Sequence, residues 1–117
     1  MGLSTHVLDT MHGVPAAGMA VALFRTQGDT RSLLQRCVLD ADGRPTQGLL
    51  VAHADLAVGN YRLEYDVAAY FKACGVSLPE PNFLQVVGLD FGVAHTDQHY
   101  HVPLLVSPWS YSTYRGS

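Results

Sequence analysis

The chain has 117 residues, a formal charge of −3, 48% hydrophobic and only 15% charged residues. That length fits one domain, residues 1–117, and leaves no room for a second. A mean hydropathy of +0.11 and an isoelectric point near 6.0 exclude a disordered tail and argue against a nucleic-acid partner, and no apolar run approaches the ~20 residues of a membrane span.

Short β-type runs alternate with turn chemistry, the spacing of a sandwich or barrel. Ser4–Leu8 is the first strand candidate, closed by a turn over Asp9–Pro15. Met19–Thr26 is the second, with Val21 and Leu23 on one face and Ala20, Ala22 and Phe24 on the other. Leu33–Leu39 is the third. Asp40-Ala41-Asp42-Gly43 then reads as a hairpin signal in which Gly43 supplies a positive φ. In Asn60–Asp66, Tyr61, Leu63 and Tyr65 alternate with Arg62, Glu64 and Asp66, the period of a half-buried strand.

The period changes over Asp66–Gly75, where Val67, Tyr70, Phe71 and Cys74 fall at i, i+3, i+4 and i+7. This predicts one short helix with Asp66 as N-cap and Gly75 after the last turn. Ser77–Pro81 is a rigid loop, and Phe83–Leu89 and Tyr100–Val106 are two further strands. The expected architecture is a mostly-β sandwich of seven or eight strands with a single helix.

The last long strand is unusual. Tyr100, Val102, Leu104 and Val106 share one face, and His101, Pro103, Leu105 and Ser107 the other, so both faces carry large apolar groups. An antiparallel sheet in a monomer normally turns one polar face to water. With no helices to cover the second face, another subunit is the expected cover, and it accounts for the low charge. Pro103 removes a ladder donor, which predicts an edge strand or a local bulge.

Six histidines are available for chemistry: His6, His12, His53, His95, His99 and His101. His99 and His101, at i and i+2, project from the same side of a strand, but no cysteine or carboxylate stands near them at zinc-site spacing. An acid–base role fits better, because imidazole titrates near neutrality, and His6 sits mid-strand where it has no packing advantage. Arg44, just after the Asp42-Gly43 turn, reads as a solvated turn residue. Cys37 and Cys74 are expected as free core thiols. The start carries no basic and apolar leader and the end is not the peroxisomal tripeptide, so the cytoplasm is the expected compartment. No nucleophile elbow, phosphate-binding glycine loop or CxxC motif is present.

The run from His99 to Ser117, closing in Tyr-Ser-Thr-Tyr-Arg-Gly-Ser, resembles the signature of the 5-hydroxyisourate hydrolases, the transthyretin-related enzymes of urate breakdown. Leu3–Thr10 and Gly13–Ala16 are similar to that family's opening block, and Asp42-Gly43-Arg44 to its arginine turn. The resemblance spans essentially the whole chain. The rival within the fold is a transthyretin-like small-molecule carrier without catalysis. At the positions of His6, Arg44 and His101 the carrier has Lys, Glu and Thr, and it lacks the closing Tyr-Arg-Gly-Ser. A purely structural β-sandwich module would leave the histidines without a use.

The resemblance implies a transthyretin-like, immunoglobulin-like sandwich of two four-stranded sheets with one short α-helix, assembled as a homotetramer with sites in a channel between dimers. It implies hydrolytic opening of the six-membered ring of 5-hydroxyisourate to 2-oxo-4-hydroxy-4-carboxy-5-ureidoimidazoline, with no metal and no organic cofactor. The carried-over catalytic residues are His6, Arg44, His101 and Ser117, with His6, Arg44 and Tyr114 binding substrate. Attack of water on a ring carbonyl needs a base, which His101, coupled to His6, would supply. It also needs positive charge at the developing oxyanion, which suits the planar fork of Arg44. Ser117 would add a hydroxyl and a carboxylate that orient a neighbouring histidine or arginine.

Overall fold

The computed structural model describes residues 2–117; Met1, where the N-terminal reading starts, lies outside the described residues. In chain order the strands are β1 (Gly2–Asp9), β2 (Val14–Pro15), β3 (Ala20–Gln27), β4 (Thr30–Val38), β5 (Val51–Ala52), β6 (Gly59–Asp66), β7 (Val86–Val93), β8 (Tyr100–Val106) and β9 (Tyr111–Thr113). The helix α1 (Val67–Ala73) follows β6 directly. One sheet runs β2-β1-β8-β9, with β5 also on β1; the other runs β4-β3-β6-β7. The expected mostly-β sandwich with one short helix is therefore what the chain forms, with nine strands where seven or eight were expected, because the two-residue β2 and β5 both add to the edge of β1 and make one sheet five-stranded.

The core lies between the sheets and follows the period of two. Tyr61, Leu63 and Tyr65 of β6 are buried, as their alternation predicts, against Leu3 and Val7 of β1 and Val102, Leu104 and Val106 of β8. On β3, Val21 and Leu23 point inward as expected. Phe24, expected on the opposite face, is also nearly buried, because the Arg31 guanidinium lies 4.4 Å over its ring just past a register shift in the β3–β4 ladder.

Several local expectations are corrected. The third strand starts at Thr30, three residues earlier than its apolar run, because β4 is an exposed edge strand whose pairing with β3 begins at Thr30↔Gln27. The strand expected at Phe83–Leu89 forms at Val86–Val93, leaving Phe83 71% exposed. Asn82 causes that delay by donating to the carbonyls of Leu84 and Pro108 and holding the segment out as a loop. The turn after β4 joins no long hairpin and closes on the isolated bridge Leu39↔Pro45.

Asp66 occupies the N-cap of α1 but makes no side-chain cap; the first helical N–H groups, of Val67 and Ala68, go to the carbonyl of Gln85. Cys37 and Cys74 are both free; Cys37 is half-buried and packs against the core, whereas Cys74, at the helix C-cap, is exposed and not the core thiol expected. Gly75 does take the left-handed conformation, with φ +85°. No helix among the described residues is long and apolar enough to cross a membrane.

Pro103 also sits differently. β8 is internal, between β1 and β9, and its register with the C-terminal segment is unbroken from Leu104↔Thr113 to His101↔Gly116. That register sets Pro103 opposite Tyr114. Its missing donor removes one rung there, which is why β9 ends at Thr113 before the bridge at Gly116 resumes the ladder. The Thr113 hydroxyl donates to the Pro103 carbonyl at 2.7 Å and closes the gap.

Two buried polar groups on the inner face of β1 fasten it to the rest of the molecule. The Thr5 hydroxyl donates to the Val102 carbonyl on β8 at 2.7 Å and accepts from the Tyr65 hydroxyl of the facing sheet at 2.8 Å. Asp9, fully buried, accepts from the backbone N–H and Nδ1 of His12 and from the Tyr70 hydroxyl of α1. Burial pushes the Asp9 carboxyl up, but these donors outweigh it and hold it below the usual carboxylate range.

A carboxyl depressed in the folded state stabilises above its unfolded value of about 3.9, and the contribution is lost as pH falls through the lower folded value. Asp9→Ala is therefore expected to cost about 2–4 kcal/mol at pH 7 in urea unfolding, since the Tyr70 and His12 donors are left unpaired. The gap between wild type and variant should narrow as pH falls below about 3.9 and through the lower folded value; a gap unchanged over that range would show that packing, not the ionised carboxylate, carries the effect.

Candidate active site

The parallel ladder of β1 and β8 places Leu3 opposite Tyr100, Ser4 opposite His101, His6 opposite Pro103 and Leu8 opposite Leu105. Opposed residues of a ladder share a face. While Leu3, Thr5, Val7 and Asp9 turn inward, Ser4, His6 and Leu8 stand half-buried on the outer face beside His101, Pro103 and Leu105. Two of the predicted residues, His6 and His101, are thus brought onto one open surface from opposite ends of the chain.

Arg44 reaches the same surface through its turn. The Asp40 carboxylate accepts the N–H groups of Asp42 and Arg44 at 2.9 and 3.1 Å, and the Asp40 N–H donates to the Arg44 carbonyl at 2.7 Å. The β1 edge is paired to β5 at Gly2 and Leu3 and to β2 at Leu8 and Asp9. In the gap between them, the Val7 N–H donates to the Gly43 carbonyl at 2.9 Å. The turn is therefore docked on β1 beside His6. Gly43 has φ +74°, and a Cβ there would lie 2.5 Å from the Val7 carbonyl oxygen. Only glycine permits this approach. Arg44 is exposed, as a turn residue should be, but it is held in place and not free.

The C-terminal segment completes the wall around His101. Gly116 and His101 exchange backbone hydrogen bonds at 2.8 and 3.3 Å. A Cβ on Gly116 would stand 3.0 Å from His101 Cδ2, so the chain passes beside the imidazole because it has no side chain there. Arg115 lies 4.2 Å over the Tyr100 ring and donates to the His99 carbonyl and to Gln98 Oε1. Ser117 lines a cavity of about 370 Å³ with Gln98, His99, Arg115 and Gly116. Tyr114, 61% exposed, borders a separate cavity of about 350 Å³ that includes Gly88, Phe91 and Val102.

Burial pushes the His101 imidazole below the ordinary histidine value, and the facing Arg44 guanidinium holds it lower still. At neutral pH it is a neutral ring with a basic nitrogen, as a general base requires. Its Nδ1 lies 2.8 Å from Ser4 Oγ, and the same oxygen lies 3.0 Å from His99 Nε2. His99 and His101 do face one side, as their spacing predicts, and a serine hydroxyl fills the space between them. Ser4 and Gly116 are positions to which the sequence reading gave no role; Gly43 takes the positive φ expected of it, but its contact with Val7 was not foreseen. The period of two from His6 could have found Ser4; nothing local distinguishes the two glycines from ordinary turn glycines.

The profile of the HIUase/Transthyretin family matches residues 3–116. A 5-hydroxyisourate hydrolase of Caulobacter vibrioides is 53% identical over 116 residues, covering 99% of this chain and 98% of the relative. Among solved structures, an (S)-allantoin synthase superposes with TM-score 0.93 at 41% identity, covering 99% of this chain; the chain spans 43% of that protein. Sea bream transthyretin in complex with thyroxine gives TM-score 0.85 at 31% identity, covering 99% and 95% of the two chains.

Arg44→Gln is expected to raise the titration midpoint of His101 toward the ordinary value of 6.5, because a facing cation is removed. Gly43→Ala should raise it too, although Arg44 is retained, because the turn must leave Val7; the left-handed strain adds about 1–2 kcal/mol of destabilisation. Heteronuclear NMR titration of the His101 ring reads both. A midpoint unmoved by either substitution would put Arg44 outside electrostatic reach of the imidazole.

Proposed function

The chain belongs to the HIUase/Transthyretin family, and from that premise we propose that it opens the six-membered ring of 5-hydroxyisourate by hydrolysis, a step of urate degradation in purine catabolism. It is an enzyme of the hydroxyisourate hydrolase type, a cyclic amide hydrolase, and not a carrier. The observation that carries the catalytic reading is the placement of His101 and His6 on one open face beside the docked Arg44 turn, where burial and the facing guanidinium push His101 below the ordinary histidine value.

In the proposed reaction His101 Nε2 takes a proton from the attacking water, since its Nδ1 is engaged by Ser4. Positioned base catalysis of this kind is worth about 10²–10⁴ in rate. Arg44 holds the anionic substrate and stabilises the oxygen that becomes charged when the carbonyl is attacked. His6, two residues along β1 from Ser4, binds substrate and shares the proton traffic. Ser117 adds its hydroxyl beside His99, and Tyr114, which borders the separate cavity within one chain, is proposed to bind substrate from that side. After collapse of the tetrahedral intermediate the ring nitrogen leaves as it regains the proton held by histidine. No step calls on a metal or an organic cofactor.

The assembly proposed is a homotetramer, with the outer face of the β2-β1-β8-β9 sheet covered by another copy. Leu8 and Leu105, both half-buried, supply apolar surface on that face beside the histidines. The outer edges of β7 and β9 end their sheets and offer free rungs to a second chain. The cytoplasm is the compartment proposed, in keeping with two free thiols, one of them exposed.

His101→Asn and Arg44→Gln should each lower kcat/KM on freshly generated 5-hydroxyisourate by at least about 10²-fold, followed by ultraviolet loss of the substrate, with folding unchanged by circular dichroism. Removal of residues 114–117 should inactivate as well, because it releases His101 from Gly116. Light scattering on the same sample should give four times the 12.7 kDa chain mass. Binding of aromatic ligands without turnover by the wild-type protein would favour the carrier instead.

A further inference from the structure

We infer that His99, Ser4 and His101 form a two-proton relay, in which the charge created when His101 takes a proton from water passes through the Ser4 hydroxyl to His99. The inference rests on the hydrolase reading and adds two residues to it, Ser4 and His99.

The geometry is specific about who can donate to whom. Ser4 Oγ lies 2.8 Å from His101 Nδ1 and 3.0 Å from His99 Nε2. A serine hydroxyl carries one proton, so it donates to one ring while accepting from the other. For His101 to present a free lone pair at Nε2, its proton must sit on Nδ1 and point at Ser4 Oγ. The Ser4 proton is then directed at His99 Nε2. Nδ1 of His99 is buried and has no hydrogen-bond partner among the described residues, so the polar reach of that ring runs through Ser4.

The surroundings give the relay its direction. Facing His101 are His6 from β1, Arg44 from the turn docked on β1, and His99 from the residues that lead into β8. Behind it passes the Gly116 backbone, next to Arg115 and Ser117. A cation left on His101 would sit in a partly buried place against the Arg44 guanidinium. Movement of the charge beyond Ser4 relieves that repulsion. Arg115 meets the His99 residue at its carbonyl, which accepts the guanidinium, and not at its ring.

The step balances. The water O–H bond breaks and an Nε2–H bond forms on His101, while the remaining hydroxide oxygen bonds to the substrate carbonyl carbon. The His101 Nδ1 proton moves to Ser4 Oγ, and the Ser4 proton moves to His99 Nε2. His101 is then neutral with its proton on Nε2, the form that can protonate a departing ring nitrogen, and His99 is the imidazolium. Donation of the Nε2 proton to the leaving nitrogen reverses the relay and restores the starting tautomers. Ser4 and His99 are positioning residues here, since they act through His101.

Ser4→Ala is expected to lower kcat about tenfold to a hundredfold with KM within twofold of wild type, and Ser4→Thr, which keeps the hydroxyl, to restore most of the rate. The proton inventory in mixed H₂O and D₂O should be bowed for wild type and linear for Ser4→Ala. His99→Gln should remove the same curvature. In the resting protein, nitrogen chemical shifts should show the Nδ1–H tautomer of His101, lost in Ser4→Ala. A Ser4→Ala enzyme with wild-type kcat, or a threonine variant as impaired as the alanine one with raised KM, would overturn the relay. An Nε2–H tautomer on resting His101 would overturn it too. Wild-type protein that shows the Nδ1–H tautomer but no turnover would overturn the hydrolase reading and leave the hydrogen-bond order standing.

Discussion

The parallel ladder between β1 and β8 is the constraint on which the rest of the molecule depends. It joins seven residue pairs from Leu3↔Tyr100 to Asp9↔Val106, and because side chains alternate across a strand it assigns two jobs to one segment. Inward, Thr5 ties β1 to β8 and to Tyr65 of the opposite sheet, and Asp9 ties its end to α1. Outward, Ser4 and His6 meet His101. A slip of one residue would exchange the two sets, burying imidazole and exposing the polar bolts, so the internal hydrogen bonds also fix the register of the active face.

Around that face the structure spends backbone permissiveness where side chains must come close. Gly43 lets a turn carbonyl cap the free Val7 N–H and so delivers Arg44, and Gly116 lets the C-terminal segment run alongside the His101 ring. Neither glycine contributes a functional atom. Gly116 adds to the burial of one imidazole and Gly43 brings the Arg44 charge to it, and burial first and that charge second hold it below the ordinary histidine value, as suits a base.

The sheets were legible where one strand decides its own environment. The clean alternation of β6 and the helical spacing of Val67, Tyr70 and Phe71 translate directly into buried faces. Signals failed where a distant partner sets the outcome. Asn82 holds Phe83 out of β7 through the carbonyl of Pro108, and the Gln85 carbonyl does the capping that Asp66 was expected to do. Cys74 matched the helical stripe, but α1 ends before the stripe reaches it. Arg44 looked like any solvated turn residue, since the Val7 contact that positions it lies 37 residues away in sequence. His6, Arg44 and His101 came to notice together only through resemblance to a family, because no local spacing links residues that meet across β1 and β8.

The separation of Ser4 from His101, 97 residues along the chain, has a consequence for how the molecule comes into being. Contacts between residues so far apart require a large loop to close before they return any stabilisation, and folds dominated by them form slowly. The catalytic face therefore cannot exist in a nascent amino-terminal fragment or in a partly zipped intermediate that lacks β8. Chemical competence arrives together with the final long-range strand pairing, which makes turnover a gauge of complete folding in this protein.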